Sequence, residues 1–433
     1  MISRRRFIEA SSLAVAGTVT GCQSPHGASG GASQTTGLPA SIAALTSQTH
    51  RATPISVEER VARIEKARGL MTGHGIDALM LTGGTSLVYF TNVRWGLSER
   101  MLSVVVPVRG TAFLVCPAFE EERAREQLHG GPLEDTEVMT WHEHESPYEL
   151  VSQGLKDRGL GTGTLGIEET VRFVFSDGVA QAAPGLTLTS GTPVTAGCRG
   201  VKDEHELALM RLANEVTLTA YKAAYEALEP GMTQGDFRNL VSMAHGQQGF
   251  PGGAGVQVGQ YSALPHGSVT PQVIEEGSVL LIDGGCSVEG YRSDISRTFV
   301  LGEPTDRMRE VFEIVHRAQA AALETARPGV QAQEVDAAAR QVVEAAGFGP
   351  GYTYFTHRVG HGIGMDGHEW PYLVKENTLT LEPGMTYSDE PGIYIPGEFG
   401  VRLEDDMYIT EGGAALFTPP SPSLDDPFGN WSA

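Results

Sequence analysis

The 433-residue sequence is poor in cysteine, basic residues and long apolar runs, and each shortage excludes a class of protein. Four widely spaced cysteines provide neither a disulfide framework nor a zinc-binding pattern. Lys and Arg number 31 against 53 Asp and Glu, and the formal charge of -22 argues against nucleic acid as a partner. No segment after the N-terminal leader has the apolar length of a transmembrane helix. The remaining composition, with 40% hydrophobic residues and 54 glycines, predicts a loop-rich globular protein.

The first 22 residues are predicted to be an export signal. Ser3–Ile8 contains three arginines before a phenylalanine and resembles a twin-arginine signal, and a weakly apolar run over residues 10–20 follows it. Val19–Cys22 resembles a bacterial lipoprotein box, so we expect export to the periplasm and a lipid anchor on Cys22. Ordinary cleavage near this point, which would release a free periplasmic or secreted protein, is the alternative. Residues 23–52, rich in Ser, Gly, Ala and Thr, are predicted to be a flexible tether.

The rest of the chain divides into two blocks of helix and strand patterns. Residues 53–197 begin with a capping box at Ser56–Glu59 and continue as an α/β layer without a glycine-rich phosphate loop. Among the strands of this block we expect one at Leu87–Phe90. Residues 198–420 show helices, strands, helices and strands in that order, which predicts an α+β domain, and residues 421–433 are a tail.

Two aspartates belong to the central strand pattern of the second block. The apolar run Leu280–Ile282 ends in Asp283 and two glycines, which indicates a buried strand that enters a turn. Asp294 lies eleven residues further on, in a strand predicted to return beside the first. Antiparallel neighbours bring such side chains together, and facing carboxylates repel unless a proton or a cation lies between them. Taken alone, an aspartate at the end of a strand is more often a turn-former.

Three later segments add polar side chains in apolar, glycine-punctuated sequence. They contain His361 within His357–Gly364, Glu390 before a Pro-Gly pair, and Glu404 after Gly400–Arg402. Together with the two aspartates they provide four carboxylates and one imidazole, the number of ligands that two divalent ions would need. Such oxygen-rich ligands suit Mn, Fe or Co better than copper.

With these residues the chain resembles, from about residue 55 to 415, the proline-specific metallopeptidases of the pita-bread fold. That family includes aminopeptidase P and prolidase, with creatinase as a metal-free relative. The resemblance implies an α+β protein in which a creatinase-like α/β N-terminal domain precedes a pita-bread catalytic domain. It also implies two divalent metal ions, for which we expect manganese, with cobalt, iron and zinc as alternatives. The implied ligands are Asp283, Asp294, His361, Glu390 and Glu404.

The resemblance also implies roles for side chains around the metals. Glu390 would carry a proton from a hydroxide shared by the two metals to the leaving nitrogen. His266 and His368 would hydrogen-bond the substrate and its developing oxyanion. Arg402 would orient the metal ligand Glu404, or it would touch the carboxyl end of the substrate. His357 would support the metal site or the substrate, with simple packing as the alternative.

The predicted reaction is hydrolysis of a peptide bond that precedes proline, by an Xaa-Pro aminopeptidase or an Xaa-Pro dipeptidase. The expected partners are a peptide with proline in second position and, by family resemblance, a second copy of the chain in a homodimer. Three alternatives stay open. They are a lyase or C–N hydrolase that acts on a small zwitterion on the same metal scaffold, a creatinase-like metal-free enzyme, and a non-catalytic peptide-binding module.

Overall fold

A computed structural model describes residues 37–432, so the predicted export signal and the lipidation site at Cys22 lie outside the described residues. The helices are α1 (Ala40–Ala43), α2 (Val57–His74), α3 (Thr85–Thr91), α4 (Glu121–Leu128), α5 (Pro147–Asp157), α6 (Phe173–Ala182), α7 (Thr192–Arg199), α8 (Glu204–Tyr225), α9 (Gln234–Gln247), α10 (Asp306–Thr325) and α11 (Ala332–Ala345). The strands are β1 (Ala78–Thr82), β2 (Ser103–Pro107), β3 (Phe113–Pro117), β4 (Glu137–Trp141), β5 (Thr164–Ile167), β6 (Thr187–Ser190), β7 (Gly252–Val258), β8 (Val279–Val288), β9 (Tyr291–Arg292), β10 (Ile295–Val300), β11 (Gly360–Gly362), β12 (Glu369–Leu373), β13 (Thr386–Asp389), β14 (Gly392–Ile395), β15 (Phe399–Arg402), β16 (Asp405–Thr410) and β17 (Gly413–Leu416). None of these helices is both long and apolar enough to cross a membrane.

The N-terminal domain is built on a six-stranded sheet in the order β4-β3-β2-β1-β5-β6. The sheet is mixed, because β1 pairs antiparallel with β2 and parallel with β5. Its central strands are buried along their whole length, since apolar cores lie against both faces. Alternate side chains of a strand therefore enter different cores: Leu79 and Leu81 pack on one side and Met80 on the other. The structure thus contains the expected α/β layer.

The predicted strand at Leu87–Phe90 is wrong, because these residues lie inside α3. Gly84 precedes the helix, and Asn92 ends it in the left-handed conformation with a φ of 63°. Most side chains of the helix are buried. A short apolar run that contains aromatic and β-branched residues has the composition of a buried strand, so its periodicity does not separate the two structures.

The predicted flexible tether is wrong for residues 37–52, whereas its first half lies outside the described part of the chain. α1 places Ile42 in the core between α8 and α9, where its side chain is fully buried. Ser41 Oγ donates to the carbonyl of Ala223 at 2.7 Å. A polar composition predicts flexibility because it has little apolar surface to bury. Here Leu45 packs on the same core as Ile42, the backbone of Gln48 donates to the carbonyl of Gln248 at 2.9 Å, and Arg51 pairs with Glu215 at 2.6 Å, so several contacts together hold the segment.

The C-terminal residues 421–432 also pack against the second domain. Leu424 and Phe428 are buried in its two cores. Lys222 Nζ donates to the carbonyl of Trp431 at 2.7 Å, which ties this segment to α8. The predicted tail is therefore part of the folded domain as far as residue 432.

The C-terminal domain contains two antiparallel sheets flanked by helix pairs. One sheet has the order β10-β8-β7 with β9 paired to β8, the other has the order β12-β11-β13-β16-β17, and β14 and β15 form a separate ribbon. Capping boxes at Asp203 and Thr233 begin α8 and α9. The two sheets meet where Ser296 and Glu404 exchange two backbone hydrogen bonds of 3.2 Å. The predicted α+β fold class is confirmed, and the junction of the sheets lies beside the candidate site.

Candidate metal centre

The two aspartates of the central strands lie close together, but Asp283 does not end its strand. β8 continues through Gly284 and Gly285 to Val288, so the turn expected after Asp283 is absent. A Cβ atom on Gly285 would overlap the carbonyl of Ser293, and only glycine allows this approach. Asp294 directly precedes β10, whose first residue pairs with Gly284, so the two carboxylates face the same space.

The second sheet supplies the other three predicted ligands. His361 lies in β11, Glu390 follows β13, and Glu404 precedes β16. β13 pairs with both β11 and β16, so these side chains converge from neighbouring strands. Three overlapping groups have ligand atoms within 4.8 Å of one another: Asp283 with Asp294 and Glu404; His361 with Glu390 and Glu404; and Asp294 with His361 and His368. The structure thus brings all five predicted ligands together.

The carboxylates of this cluster, which we call the acidic cluster (Asp283, Asp294, Glu390 and Glu404), carry more negative charge than the protein neutralises. Burial and the neighbouring carboxylates raise the pKa of Asp294 and of Glu404 well above the ordinary value. Burial raises the pKa of Glu390 to about 7. Among residues 37–432 Arg402 is the one lysine or arginine within salt-bridge distance. If all four carboxylates were ionised, one guanidinium would leave three negative charges in excess. The raised pKa values show that protons offset this charge in the metal-free protein, and divalent cations would replace those protons.

The imidazole of the cluster is neutral, as a metal ligand must be. Burial lowers the pKa of His361 to about 3. Its Nδ1 donates to the carbonyl of Gly362 at 3.1 Å, so Nε2 carries the lone pair. Nε2 lies 3.3 Å from Glu390 Oε1, on the side of the acidic cluster. A neutral imidazole with its lone pair towards the carboxylates fits a metal site.

Arg402 lies elsewhere than the sequence led us to expect. Its Nη2 contacts Asp283 Oδ2 at 2.5 Å, whereas Nε lies 3.8 Å from Glu404 Oε2, so its main partner is Asp283. Nη1 donates to the hydroxyl of Tyr394 at 3.1 Å and to the carbonyl of Pro265 at 3.0 Å. The contact expected with Glu404 is therefore secondary, and each of the three guanidinium nitrogens has a protein partner.

His357 contacts the acidic cluster through Tyr394. Its Nδ1 donates to the carbonyl of Arg358 at 2.8 Å, so Nε2 accepts a hydrogen bond of 2.7 Å from the Tyr394 hydroxyl. Burial lowers the pKa of His357 to about 3, so the ring is neutral. Its Nδ1 lies 3.9 Å from Glu390 Oε2, beyond hydrogen-bond distance. The ring therefore supports Tyr394 and, through it, Arg402.

Ser296 is a part of the site that the sequence analysis missed. Its Oγ lies 2.6 Å from Glu404 Oε2 and 3.0 Å from Asp283 Oδ1, and it accepts a hydrogen bond of 2.9 Å from Arg402 Nε. A hydroxyl has one proton to donate, so it donates to the nearer carboxylate, that of Glu404. A single serine inside a buried strand carries no sequence signal of such a role.

One cavity of about 450 Å³ opens onto the cluster and contains both predicted substrate histidines. The ring of His368 stacks on that of His361, with centroids 3.7 Å apart and an angle of 18° between the planes. Burial lowers the pKa of His368. His266 lines the same cavity and is exposed. The structure therefore places the two histidines beside the acidic cluster.

The loop that carries His368 is held by a second group of charges, which we call the His368 clamp (Arg199, Lys202, Asp366 and Glu369). Arg199 Nη2 lies 2.5 Å from Asp366 Oδ2 and 2.5 Å from Glu369 Oε2. Lys202 Nζ lies 2.6 Å from Glu369 Oε1. Arg199 and Lys202 frame the connection between the two domains, so this connection is bound directly to the loop around His368.

Comparison with known proteins gives the family. The model of metallopeptidase family M24 matches residues 208–411, and that of the creatinase/prolidase N-terminal domain matches residues 63–201. The Xaa-Pro dipeptidase of Lactobacillus delbrueckii subsp. lactis is 34% identical over 370 residues, which cover 83% of this chain and 98% of the relative. The chain therefore belongs to metallopeptidase family M24, and the resemblance to pita-bread metallopeptidases is confirmed.

Solved structures share both domains. Dipeptidase PepE from Mycobacterium ulcerans matches with a TM-score of 0.80 at 30% identity, over 86% of this chain and 99% of the other. X-Pro aminopeptidase from Thermotoga maritima MSB8 matches with a TM-score of 0.72 at 28% identity, over 84% and 99%. Membership in the family implies divalent metal ions and makes the chain a hydrolase of the metallopeptidase type. The donor set fits, because such ions prefer carboxylate oxygens and neutral imidazole.

Proposed function

We propose that the protein is a metal-dependent Xaa-Pro dipeptidase, which hydrolyses the bond between an amino-terminal residue and a following proline. The observation that carries this proposal is the convergence of five metal-binding side chains on one cavity of about 450 Å³. The length match supports it, since the chain covers 98% of a relative named Xaa-Pro dipeptidase. Cleavage at the amino end of longer peptides is the second candidate, favoured by the fold shared with an X-Pro aminopeptidase.

We infer that two divalent ions are held by the five side chains that the sequence singled out. Asp294, Glu404 and His361 each belong to two of the three overlapping groups, whereas Asp283 and Glu390 belong to one each. His361 has only Nε2 free, while a carboxylate has two oxygens, so Asp294 and Glu404 would be the two side chains that bind both ions. Manganese is the proposed metal, because four carboxylates with one imidazole form a hard, oxygen-rich donor set. When bound, such ions polarise a carbonyl group and lower the pKa of water, so that a nucleophile forms near neutral pH.

Glu390 is the proposed proton carrier. Its Oε1 lies 3.3 Å from both His361 Nε2 and Ser388 Oγ, which leaves Oε2 to take the proton of the attacking water. The leaving proline nitrogen needs that proton, because it has no hydrogen in the peptide and must depart as a secondary amine. Delivery of the proton by the same oxygen would complete the cleavage.

His368 and His266 are proposed to hold the substrate. Arg358 Nη2 lies 3.4 Å from His368 Nδ1 and can only donate, so Nδ1 accepts and the ring hydrogen lies on Nε2. The stack on His361 fixes the direction of that Nε2–H donor beside the acidic cluster. A fixed donor is most effective where negative charge develops on the substrate oxygen. His266 would add a second polar contact from the same cavity wall.

The proposed function is tested by rates on a short series of substrates with manganese-loaded protein. We expect Ala-Pro to be cleaved fastest, Ala-Pro-Ala more slowly, and Ala-Ala and glycine betaine not at all. Faster cleavage of Ala-Pro-Ala than of Ala-Pro would establish the aminopeptidase instead. Turnover of the zwitterion alone would establish a lyase or C–N hydrolase, and binding of peptides without turnover would leave a peptide-binding module.

We further propose that the protein is exported by the twin-arginine route and anchored by a lipid on Cys22 in the periplasm. The support is the Ser3–Ile8 and Val19–Cys22 motifs of the sequence. In cells, the wild-type protein is expected in the membrane fraction and Cys22→Ala in the cytoplasm or the soluble periplasm. Equal membrane association of the two proteins would contradict the lipid anchor.

We also propose that the protein is a homodimer. Light scattering tests this by measuring the mass of the purified protein in solution.

A further inference from the structure

Arg358 is a cation of the cavity wall that has no salt-bridge partner in the described part of the chain. The side chain is half-buried and lines the cavity beside the acidic cluster. Over residues 37–432, no carboxylate lies within salt-bridge distance of its guanidinium. This is notable in a chain with 53 acidic residues against 31 basic ones, where acidic partners are abundant. A guanidinium that faces a cavity without a carboxylate partner is suited to bind an anionic ligand.

The side chain is nevertheless fixed in position. Its guanidinium carbon lies 4.1 Å from the centroid of the Tyr372 ring, so the group rests on an aromatic face. Nη2 donates to His368 Nδ1 at 3.4 Å. The guanidinium has five N–H donors, and within the described chain this is its one hydrogen bond to protein. The remaining donors are held in a fixed plane and are available to a ligand.

Arg402, the other arginine of the cavity wall, is already occupied. It contacts Asp283 through Nη2, Ser296 through Nε, and both Tyr394 and a backbone carbonyl through Nη1. Every nitrogen of this guanidinium therefore has a protein partner. These four contacts leave one of the five N–H groups of Arg402 for a substrate, so a paired contact with a carboxylate would require one of the four contacts to break, whereas Arg358 has four N–H groups without a partner in the described chain.

Arg358 is connected to the proposed ligand His361 through the ring of His368. The rings of His361 and His368 are 3.7 Å apart, and His368 is 3.4 Å from the Arg358 guanidinium. Arg358 and all four carboxylates of the acidic cluster line the same cavity of about 450 Å³. A dipeptide whose peptide bond lies at the acidic cluster has its C-terminal carboxylate only one residue away, inside the cavity that this arginine lines.

We propose that Arg358 binds the free carboxylate of an Xaa-Pro dipeptide and makes the enzyme select dipeptides over longer peptides. The inference rests on the proposed function and deepens it. In a longer peptide the same position holds an uncharged amide, which accepts one hydrogen bond and offers no charge to the guanidinium. Two parallel N–H···O bonds to a carboxylate are stronger and more directional than that contact.

The test uses Ala-Pro and Ala-Pro amide, which differ only in the charge at the carboxyl end. For Arg358→Met we expect kcat/KM on Ala-Pro to fall by about 10- to 100-fold, the usual effect of losing a hydrogen bond to a charged group. The rate on Ala-Pro amide should change little, so the preference of the wild-type enzyme for Ala-Pro should largely vanish. Arg358→Lys keeps the charge but not the paired donors, so its loss on Ala-Pro should be intermediate.

Arg238→Met is the matched control, because it removes an exposed arginine of α9 that lies outside the cavity. We expect its rates on both substrates to equal those of the wild type. Equal losses on Ala-Pro and Ala-Pro amide in Arg358→Met, with unchanged thermal stability, would overturn the inference. An unchanged rate on Ala-Pro in that variant would overturn it as well.

A binding measurement separates failure of this inference from failure of the proposed function. Ala-Pro should raise the unfolding temperature of the wild type more than Ala-Pro amide does, and this difference should disappear in Arg358→Met. If the wild type binds Ala-Pro in this way but does not cleave it, the proposed function fails and the carboxylate site stands. The carboxylate site fails in the opposite case, in which the wild type cleaves Ala-Pro but the substitution has no effect on binding. The difference in unfolding temperature between Ala-Pro and Ala-Pro amide would then be as large in Arg358→Met as in the wild type.

Discussion

Two largely buried groups of charges, the His368 clamp and the acidic cluster, differ in their balance of positive and negative charge. In the His368 clamp, two carboxylates face one guanidinium and one ammonium at 2.5 to 2.6 Å. In the acidic cluster, four carboxylates have one guanidinium within salt-bridge distance among residues 37–432, that of Arg402. A balanced buried group is stable by itself once its geometry is good, whereas an unbalanced one costs free energy until a cation joins it. The His368 clamp therefore stabilises a loop, whereas the acidic cluster is suited to bind cations.

Loss of Asp294 should have the largest effect, because this residue is the proposed bridge between two ions. We expect Asp294→Asn to lower kcat on Ala-Pro by more than about 100-fold, beyond the effect typical of residues that only support a ligand. Both metals should be lost, whereas Asp283→Asn should release mainly one. Elemental analysis of each purified variant gives the number of ions per chain. Equal metal contents in the two variants would contradict the bridging position of Asp294.

Loss of a clamp carboxylate should affect stability and leave the metals in place. Glu369→Gln removes the charge that faces Arg199 and Lys202, and we expect the free energy of unfolding to fall by about 3 to 5 kcal/mol. In metal-free protein Asp294→Asn should instead raise the free energy of unfolding, because it relieves repulsion in the acidic cluster. Denaturant titrations of both variants without metal make this comparison. Destabilisation by both substitutions would show that the two groups do not differ in balance.

Stability of the metal-free protein should depend on pH with a sign set by the acidic cluster. The pKa of Glu390 is raised by burial to about 7 from an ordinary value of 4.5, so the folded state holds this proton more tightly than the unfolded state. The contribution of Glu390 to the free energy of unfolding is therefore greatest below pH 4.5. It is lost as the pH rises to about 7. Thermal unfolding at pH 5 and pH 8 measures the slope. Manganese should remove the decline, and a metal-free protein that is more stable at pH 8 would contradict this prediction.

The sequence predicted which five side chains converge, because each is local to a strand end or a strand, in a spacing that a known family shares. Asp283 and Asp294 were placed side by side from strand pattern alone, and the structure brings them together. The extension of β8 beyond Asp283 was missed, because Gly284 and Gly285 signal a turn in sequence. Gly284 leaves room for the carbonyl of Gly253 and Gly285 for that of Ser293, which is visible only once the neighbouring chain segments are in place.

Contacts between segments distant in sequence account for the other errors. The helix that holds residues 85–91 and the docking of Ile42 depend on cores formed by several elements. The pairing of Arg402 with Asp283 joins positions more than a hundred residues apart. Because of this pairing, Arg402 is the arginine of the cavity whose guanidinium is engaged by a protein carboxylate. Arg358 drew no notice in the sequence, because an arginine beside histidines and glycines is unremarkable until its lack of a carboxylate partner is seen in three dimensions.

The most direct test of the central claim is the hydrolysis of Ala-Pro by one preparation of protein before and after metal removal. The protein is dialysed against a chelator, its metal content is measured, and manganese is then returned. We expect kcat to fall at least about 100-fold in metal-free protein and to recover as up to two ions per chain bind. Full activity of a preparation shown to contain no metal would contradict the assignment of the acidic cluster as a metal centre.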